Sequence, residues 1–253
     1  NVSYGYGMWR TTDAGETWEH IGLDNANHIP RVRVHPDNPD VVYAAVLGDI
    51  FKDTPVRGIY KSIDGGKSWR QTLFINERAG AVDLIIDPTN SRILYATTWR
   101  VQRKPYELSS GGEGSALWKS KDGGETWQNI SENKGLPKGT WGISGITVSP
   151  VNGNRLWAII ENEDGGVFRS DDAGKTWEKM NSERDLRQRA WYYTRIYADP
   201  KSEDIVYVVN VSYHKSTDGG RTFSAHYANH GDHHDLWIDP DNAARMIIGD
   251  DGG

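Results

Sequence analysis

Five copies of one eight-residue motif limit what this chain can fold into: TTDAGETW (11–18), SIDGGKSW (62–69), SKDGGETW (120–127), SDDAGKTW (170–177) and STDGGRTF (216–223). Their aspartates, Asp13, Asp64, Asp122, Asp172 and Asp218, follow one another after 51, 58, 50 and 46 residues. A period of that size is the signature of a propeller or solenoid. Within the motif the aspartate can accept backbone N–H groups, as in an Asx turn. The glycine at the fifth position takes positive φ without a Cβ penalty, and the closing Trp or Phe223 packs the hairpin on its neighbour. The five aspartates are therefore read as structural.

A second element alternates with the first: VRVHPDNPDVVYAA (32–45), LIIDPTNSRILYAT (84–97), ITVSPVNGNRLWAI (146–159), IYADPKSEDIVYVV (196–209) and LWIDPDNAARMIIG (236–249). Each reads as a short strand, a Pro/Asn/Asp turn and a second strand. Together the two elements give four antiparallel strands per unit, in the order A, turn, B, loop, C, box, D. That is a propeller blade. The expected architecture is an all-β propeller with a half-blade over 1–22, blades over 31–73, 82–130, 144–180 and 193–225, and a half-blade over 235–253. The two half-blades either pair to close a five-bladed ring or belong to a consecutive slice of a larger propeller. The start at Asn1 rather than Met favours the slice, and with it further domains of the same polypeptide.

Antiparallel order puts the A–B turns and the boxes on one face and the irregular connections on the other. Long irregular loops on a rigid scaffold are where binding resides, so the loop face is the expected working face. Trp99, Trp141 and Trp191 lie on it, as platforms for a sugar ring or peptide side chain or as plugs against the blades. The other eight tryptophans read as core. Five residues before the A-strand prolines stand Arg31, Asp83, Gly145, Arg195 and Asp235. On the innermost strands these residues would ring the channel mouth, as ion pairs or as a substrate-facing set.

The most polar A-strand approach is HGDHHDLWIDP (230–240). His230, His233, His234 and Asp235 are ligand-binding candidates. His226, His230, His233, His234 and Asp232 are candidate ligands for a divalent metal ion, since imidazole and carboxylate suit several transition metals. A hydrogen-bonded network closing the channel is the plainer reading. ENEDGG (161–166) and GDDGG (249–253) are acidic enough for weak calcium binding. No cofactor is otherwise indicated.

The Ser/Thr-x-Asp-x-Gly-x-Thr/Ser-Trp pattern resembles the Asp-box, or BNR, repeat of sialidases, xyloglucanase-type glycoside hydrolases and sortilin-type propellers. With GMWRTTDAGETW, NKGLPKGTW, RAWYYTRIYADP and HGDHHDLWIDP, the whole chain is similar to large bacterial secreted proteins of the sortilin-like, glycosyl-hydrolase BNR-repeat group. The resemblance implies a secreted, periplasmic or cell-surface location and a longer protein. Sialidase chemistry is not supported, because HIPRVRV and YTRIYADP do not match the Arg-Ile-Pro signature. The xyloglucanase-type Thr-Asp-Ile-Gly-Gly stretch is also missing: AAVLGDIFKD stands in its place, with Asp49 and Asp53 as unpartnered acids. Catalytic residues are not assigned.

A formal charge of -6 with no basic stripe argues against a nucleic-acid partner. No apolar run approaches the roughly 18 residues of a membrane span. The absence of cysteine excludes thiolate metal sites and disulfides. The leading expectation is a loop face that binds a protein, peptide or glycan. A glycoside hydrolase of the Asp-box type is the alternative, and a metal-dependent hydrolase centred on 226–235 is a third reading.

Overall fold

In the computed structural model, which describes residues 4–252, the chain is all-β. A two-stranded sheet, β1 (Trp9–Arg10) and β2 (Glu19–His20), comes first. Sheet I follows with β3 (Arg31–His35), β4 (Asn38–Val46), β5 (Gly58–Ser62) and β6 (Arg70–Leu73), each paired antiparallel to the next. Sheet II runs β7 (Ala79–Ile86), β8 (Leu94–Lys104), then β9 (Glu107–Ser110) as a side hairpin on β8, then β10 (Ala116–Ser120) and β11 (Gln128–Asn129). Sheet III holds β12 (Ser144–Ser149), β13 (Asn152–Ile160), β14 (Gly166–Ser170) and β15 (Glu178–Asn181). Sheet IV holds β16 (Arg195–Ala198), β17 (Val206–Val209), β18 (Tyr213–Ser216) and β19 (Ser224–His226). A last two-stranded sheet pairs β20 (His233–Ile238) with β21 (Met246–Asp250).

Among the described residues the two half-sheets stay separate and do not pair into a further four-stranded sheet. Residues 1–3 and 253 of the expected half-blades, and with 253 the end of the 249–253 calcium candidate, lie outside the described residues. No helix among the described residues is long and apolar enough to cross a membrane.

Apolar side chains fill the spaces between successive sheets. Tyr43, Ile59, Leu84 and Leu94 join sheets I and II. Tyr95, Leu117, Ile146, Leu156 and Phe168 join II and III. Trp157, Val167, Ile196 and Val206 join III and IV, and Tyr207, Val209 and Leu236 carry the packing on to β20. Three of the eight tryptophans read as core depart from that expectation: Trp9, Trp18 and Trp237 are 51%, 59% and 49% exposed. All three belong to the half-sheets, which lack the neighbouring strands that bury their counterparts. The motif is right for packing, but packing needs a partner.

Each box is a closed set of hydrogen bonds. In the second, the Ser62 hydroxyl donates to Asp64 Oδ1 at 2.8 Å and accepts from the Gly66 amide at 2.8 Å. The Ser68 amide and hydroxyl donate to Oδ1 and Oδ2 of Asp64 at 2.9 and 2.5 Å. The same pattern surrounds Asp13, Asp122, Asp172 and Asp218. The fourth and fifth positions take positive φ in the box at 170–177, at 60° for Ala173 and 86° for Gly174, which is why small residues occupy them. The fourth residue is also a tie between sheets. Its N–H donates to the A–B turn of its own sheet, as Gly123 N does to Arg92 O at 2.8 Å. Its carbonyl accepts from the preceding sheet, as Gly123 O does from the Tyr43 hydroxyl at 2.9 Å and Lys61 Nζ at 2.8 Å.

These bonds hold Asp13, through Thr17 first, and Asp64, through Ser68 first, at about 2. A folded-state pKa below the unfolded value contributes stability that is complete above the ordinary carboxylate range, about 4. That stability is lost as pH falls through about 2. Near-UV circular dichroism is therefore expected to hold down to about pH 4 and to collapse below it. Asp64→Asn is expected to make that collapse shallower, and an unchanged acid profile would contradict the assignment.

Candidate functional site

The A-strand starts form one ionic network across the centre of the molecule. Arg31 Nε donates to Asp83 Oδ1 at 3.1 Å, Nη1 pairs with Asp235, and Nη2 donates to the Tyr197 hydroxyl at 2.7 Å. Arg195 approaches the same Asp83 oxygen at 3.3 Å and donates to Val82 O at 2.8 Å. Tyr197 in turn donates to Asp235 Oδ1 at 2.5 Å. Burial alone would raise Asp83, but Arg195 and Arg31 outweigh it and hold the carboxyl below its ordinary range. Burial is also the main force that pushes the Tyr197 hydroxyl up to about 12, so it stays a donor. Four of the predicted rim residues, Arg31, Asp83, Arg195 and Asp235, thus meet in one cluster. Gly145 adds no side chain.

On the loop face, above this network, opens a cavity of about 630 Å³. Its apolar wall includes Leu47, Val82, Val101, Leu108 and Ile143, and its polar groups are Arg103, Arg195, His234 and Asp251. Trp99, Trp191 and Tyr192 supply the aromatic surface. A second hollow of about 610 Å³ shares Arg103, Leu108 and Trp191 and extends to Phe51 and Tyr106. The β8–β9 hairpin, turning at Pro105 and Tyr106, forms part of the wall of both. The connection between the expected strand pair 84–97 and the box at 120–127 falls, by the antiparallel order, among the irregular ones. Its Trp99/Val101 alternation in fact continues β8 by seven residues beyond Thr97, the last residue of the expected second strand.

The three loop-face tryptophans take different places. Trp191 is 42% exposed and stands between the two hollows. Trp99 is buried, donates to Ser110 Oγ at 3.0 Å, and shows only an edge to the cavity. Trp141 is buried in the core between sheets II and III and donates to Pro137 O at 3.0 Å.

The histidines diverge as well. His234 lines the cavity, bonds Asp251 Oδ1 at 2.8 Å and sits edge-on to Tyr192 at 5.0 Å. His233 is buried, 3.8 Å from Asp250, and burial holds it below its usual range as a neutral ring. His226 stacks on Tyr213 and contacts Ser224 at 3.1 Å. His230 is exposed. Asp232 accepts from the Tyr193 hydroxyl at 2.8 Å and from Arg189 at 3.4 Å. Among the described residues no three His, Asp or Glu side chains converge to hold a metal ion. Asp49 is buried in its own loop, accepting from the Phe51 amide at 2.9 Å, and Asp53 pairs with Arg78 at 2.9 Å.

The sequence does not single out Tyr192, Arg103 or Tyr106, and it marks Asp251 only as part of a weak calcium candidate, not as a neighbour of Tyr192 and His234. Tyr192 carried a usable signal, as a second aromatic beside Trp191 in RAWYYTR. Its hydroxyl donates to Asp251 at 2.9 Å, which ties the 181–193 connection to the C-terminal strand pair.

Comparison with known proteins gives the following. The Sortilin-Vps10 family profile (Sortilin, neurotensin receptor 3) matches residues 6–163, and the BNR/Asp-box repeat profile matches 168–179. A xyloglucanase of a Paenibacillus species is 29% identical over 140 residues, 49% of this chain and 12% of its own length. A xyloglucanase of Acetivibrio thermocellus is 29% identical over 139 residues, 49% of this chain and 15% of its own. The chain thus spans a small part of these relatives. Among solved structures, an ancestral GH74 enzyme superimposes with a TM-score of 0.71 at 16% identity, over all of this chain and 33% of that one. A protein of unknown function from Dyadobacter fermentans gives 0.53 at 17% identity, over 87% of this chain and 73% of that one. At such identities the structural likeness speaks for the fold.

Proposed function

The chain belongs to the Sortilin-Vps10 family, and from that premise we propose that it is a run of β-propeller blades whose loop face binds a polysaccharide chain. One observation carries the reading: Trp191 stands partly exposed between two joined hollows, with Tyr192, Arg103, His234 and Asp251 beside it. A flat apolar ring flanked by hydrogen-bonding groups suits a sugar, whose pyranose face is apolar and whose rim is hydroxylated. The xyloglucanase relatives make a xyloglucan-type glucan the first ligand to test. A polymeric glycan ligand goes with a secreted or cell-surface protein.

Hydrolysis is the companion reading, favoured by the same relatives. It needs one carboxyl kept protonated opposite a second, about 5–10 Å away. The Tyr192 hydroxyl first, then His234, hold Asp251 below the ordinary carboxylate range, the wrong direction for a general acid. In this reading the chain supplies the binding surface, and an acid pair comes from further sequence of a glycoside hydrolase.

Affinity electrophoresis in xyloglucan gels tests the binding. Retardation is expected for the native chain, with an affinity loss of about tenfold or more, ~1.4 kcal/mol, for Trp191→Ala. Absence of retardation, or retardation untouched by Trp191→Ala, counts against the site. Release of reducing ends by this chain alone would move the acid pair onto it.

A further inference from the structure

The β8–β9 hairpin sends one cation into the joined hollows of the loop face. Side chains alternate along β8, so Trp99, Val101 and Arg103 point the same way and line the larger hollow in succession. The first two extend its apolar wall, and the third ends that wall on a guanidinium. Arg103 also lines the second hollow, and Trp191 stands with it in both. Backbone, not the head group, holds the residue in place. Its N–H donates to Ile50 O at 2.8 Å, and it faces Leu108 across the hairpin.

Every other charge in the two hollows is answered. Arg195 leans on Asp83 at 3.3 Å, and Lys104 faces Glu107 at 3.8 Å. Asp251 bonds His234 at 2.8 Å and accepts from the Tyr192 hydroxyl at 2.9 Å. Arg103 differs: among the described residues its guanidinium has no ion pair and donates no hydrogen bond. The side chain is nevertheless partly buried. It has lost part of its water without gaining an anion, which costs free energy. Want of acids is not the reason, since the chain has 35 Asp and Glu against 29 Lys and Arg.

We infer that the polysaccharide bound on this face is acidic, and that Arg103 recognises the carboxylate of its uronate residues. The inference rests on the glycan reading of the loop face and narrows it. A pyranose stacked on Trp191 keeps an equatorial C5 substituent close to the plane of its own ring. A carboxylate there projects past the edge of the indole, towards the wall of the hollow. A guanidinium meets a carboxylate through two parallel N–H···O bonds, and the donors of Arg103 are free to make them. The apolar wall beside the pair strengthens it by lowering the local dielectric. Phe51 and Tyr106, 41% and 82% exposed, border the second hollow with Trp191. Three exposed rings around one unpaired cation favour a chain of flat sugars over an acidic peptide.

Titration calorimetry of the full chain tests this with two ligands: xyloglucan oligosaccharides, and the same oligosaccharides with their free primary alcohols oxidised to carboxylates. The oxidised set is expected to bind tenfold or more tighter. That advantage is expected to fall as salt rises to about 1 M, where the screening length is about 3 Å. Arg103→Met, which keeps an apolar stem opposite Leu108, is expected to bring the two affinities to within about twofold of each other. Arg103→Lys keeps the charge but not the planar fork, and is expected to retain part of the preference. Equal affinity of the native chain for both sets overturns the inference and leaves the glycan reading standing. A preference that survives Arg103→Met overturns it as well. So does poly-glutamate binding as tightly as the oxidised set, which assigns the cation to an acidic polypeptide. Binding of neither set defeats the glycan reading itself, and this inference with it.

Discussion

Trp157→Ala is expected to cost about 3–5 kcal/mol, a large part of the roughly 5–15 kcal/mol that holds a domain together. Trp157 is fully buried between sheets III and IV and is the largest side chain so placed. Its removal leaves a cavity that β-sheet backbones on both sides cannot collapse to fill. It also takes away the indole N–H that donates to Gly219 O, leaving that box carbonyl without its partner from sheet III. Urea denaturation followed by tryptophan fluorescence reads the shift in midpoint. Trp157→Phe, which keeps most of the volume and loses the donor, is expected to fall between the two. If Phe proves as costly as Ala, the carbonyl tie outweighs the packing.

Asp83→Asn is expected to be comparably severe, about 3–5 kcal/mol, because it strands two guanidinium groups around one buried neutral amide. Arg31 and Arg195 both lean on Asp83 Oδ1, while the Ile146 and Leu84 amides donate to the same carboxylate at 3.1 and 3.0 Å. Arg31→Met is expected to cost less, since Arg195 still neutralises Asp83. That ordering is the informative result, measurable by thermal melts at pH 7. The carboxyl is held below its ordinary range, so its stabilisation is complete at neutral pH and disappears as pH falls below the unfolded value of about 4. The difference between native chain and Asp83→Asn should therefore shrink in acid. A difference independent of pH would mean that shape, not charge, is at stake.

The repeat made most of the fold legible. Box spacing and A–B turns placed the A, B, C and D strands of sheets I to IV, though not the extra β9 of sheet II, because their chemistry is local: a hydroxyl, a carboxylate and two small residues close each turn within eight positions. Rim residues were legible for a related reason. Counting back from a proline on equivalent strands puts Arg31, Asp83, Arg195 and Asp235 at one height, and ion pairing follows. The loop face resisted this approach because its contacts join distant segments with no shared register. Nothing in Asp251 itself announces that Tyr192, 59 residues away, will donate to it. The metal reading of 226–235 came from one-dimensional density of histidines. In three dimensions strand alternation at His233 and His234 turns one imidazole into the core and the other to the cavity.

The ionic network has one more consequence. Arg195 lines the upper cavity, whereas Arg31, Tyr197 and Asp235 line a lower one of about 720 Å³ between the A–B turns. Bound together through Asp83, these residues make a floor. The centre of the molecule is then a bowl and not a pipe. On the proposed reading, a glycan would lie across this floor on the loop side. The loop side and the A–B turn side thus present two separate hollows that share one ionic network.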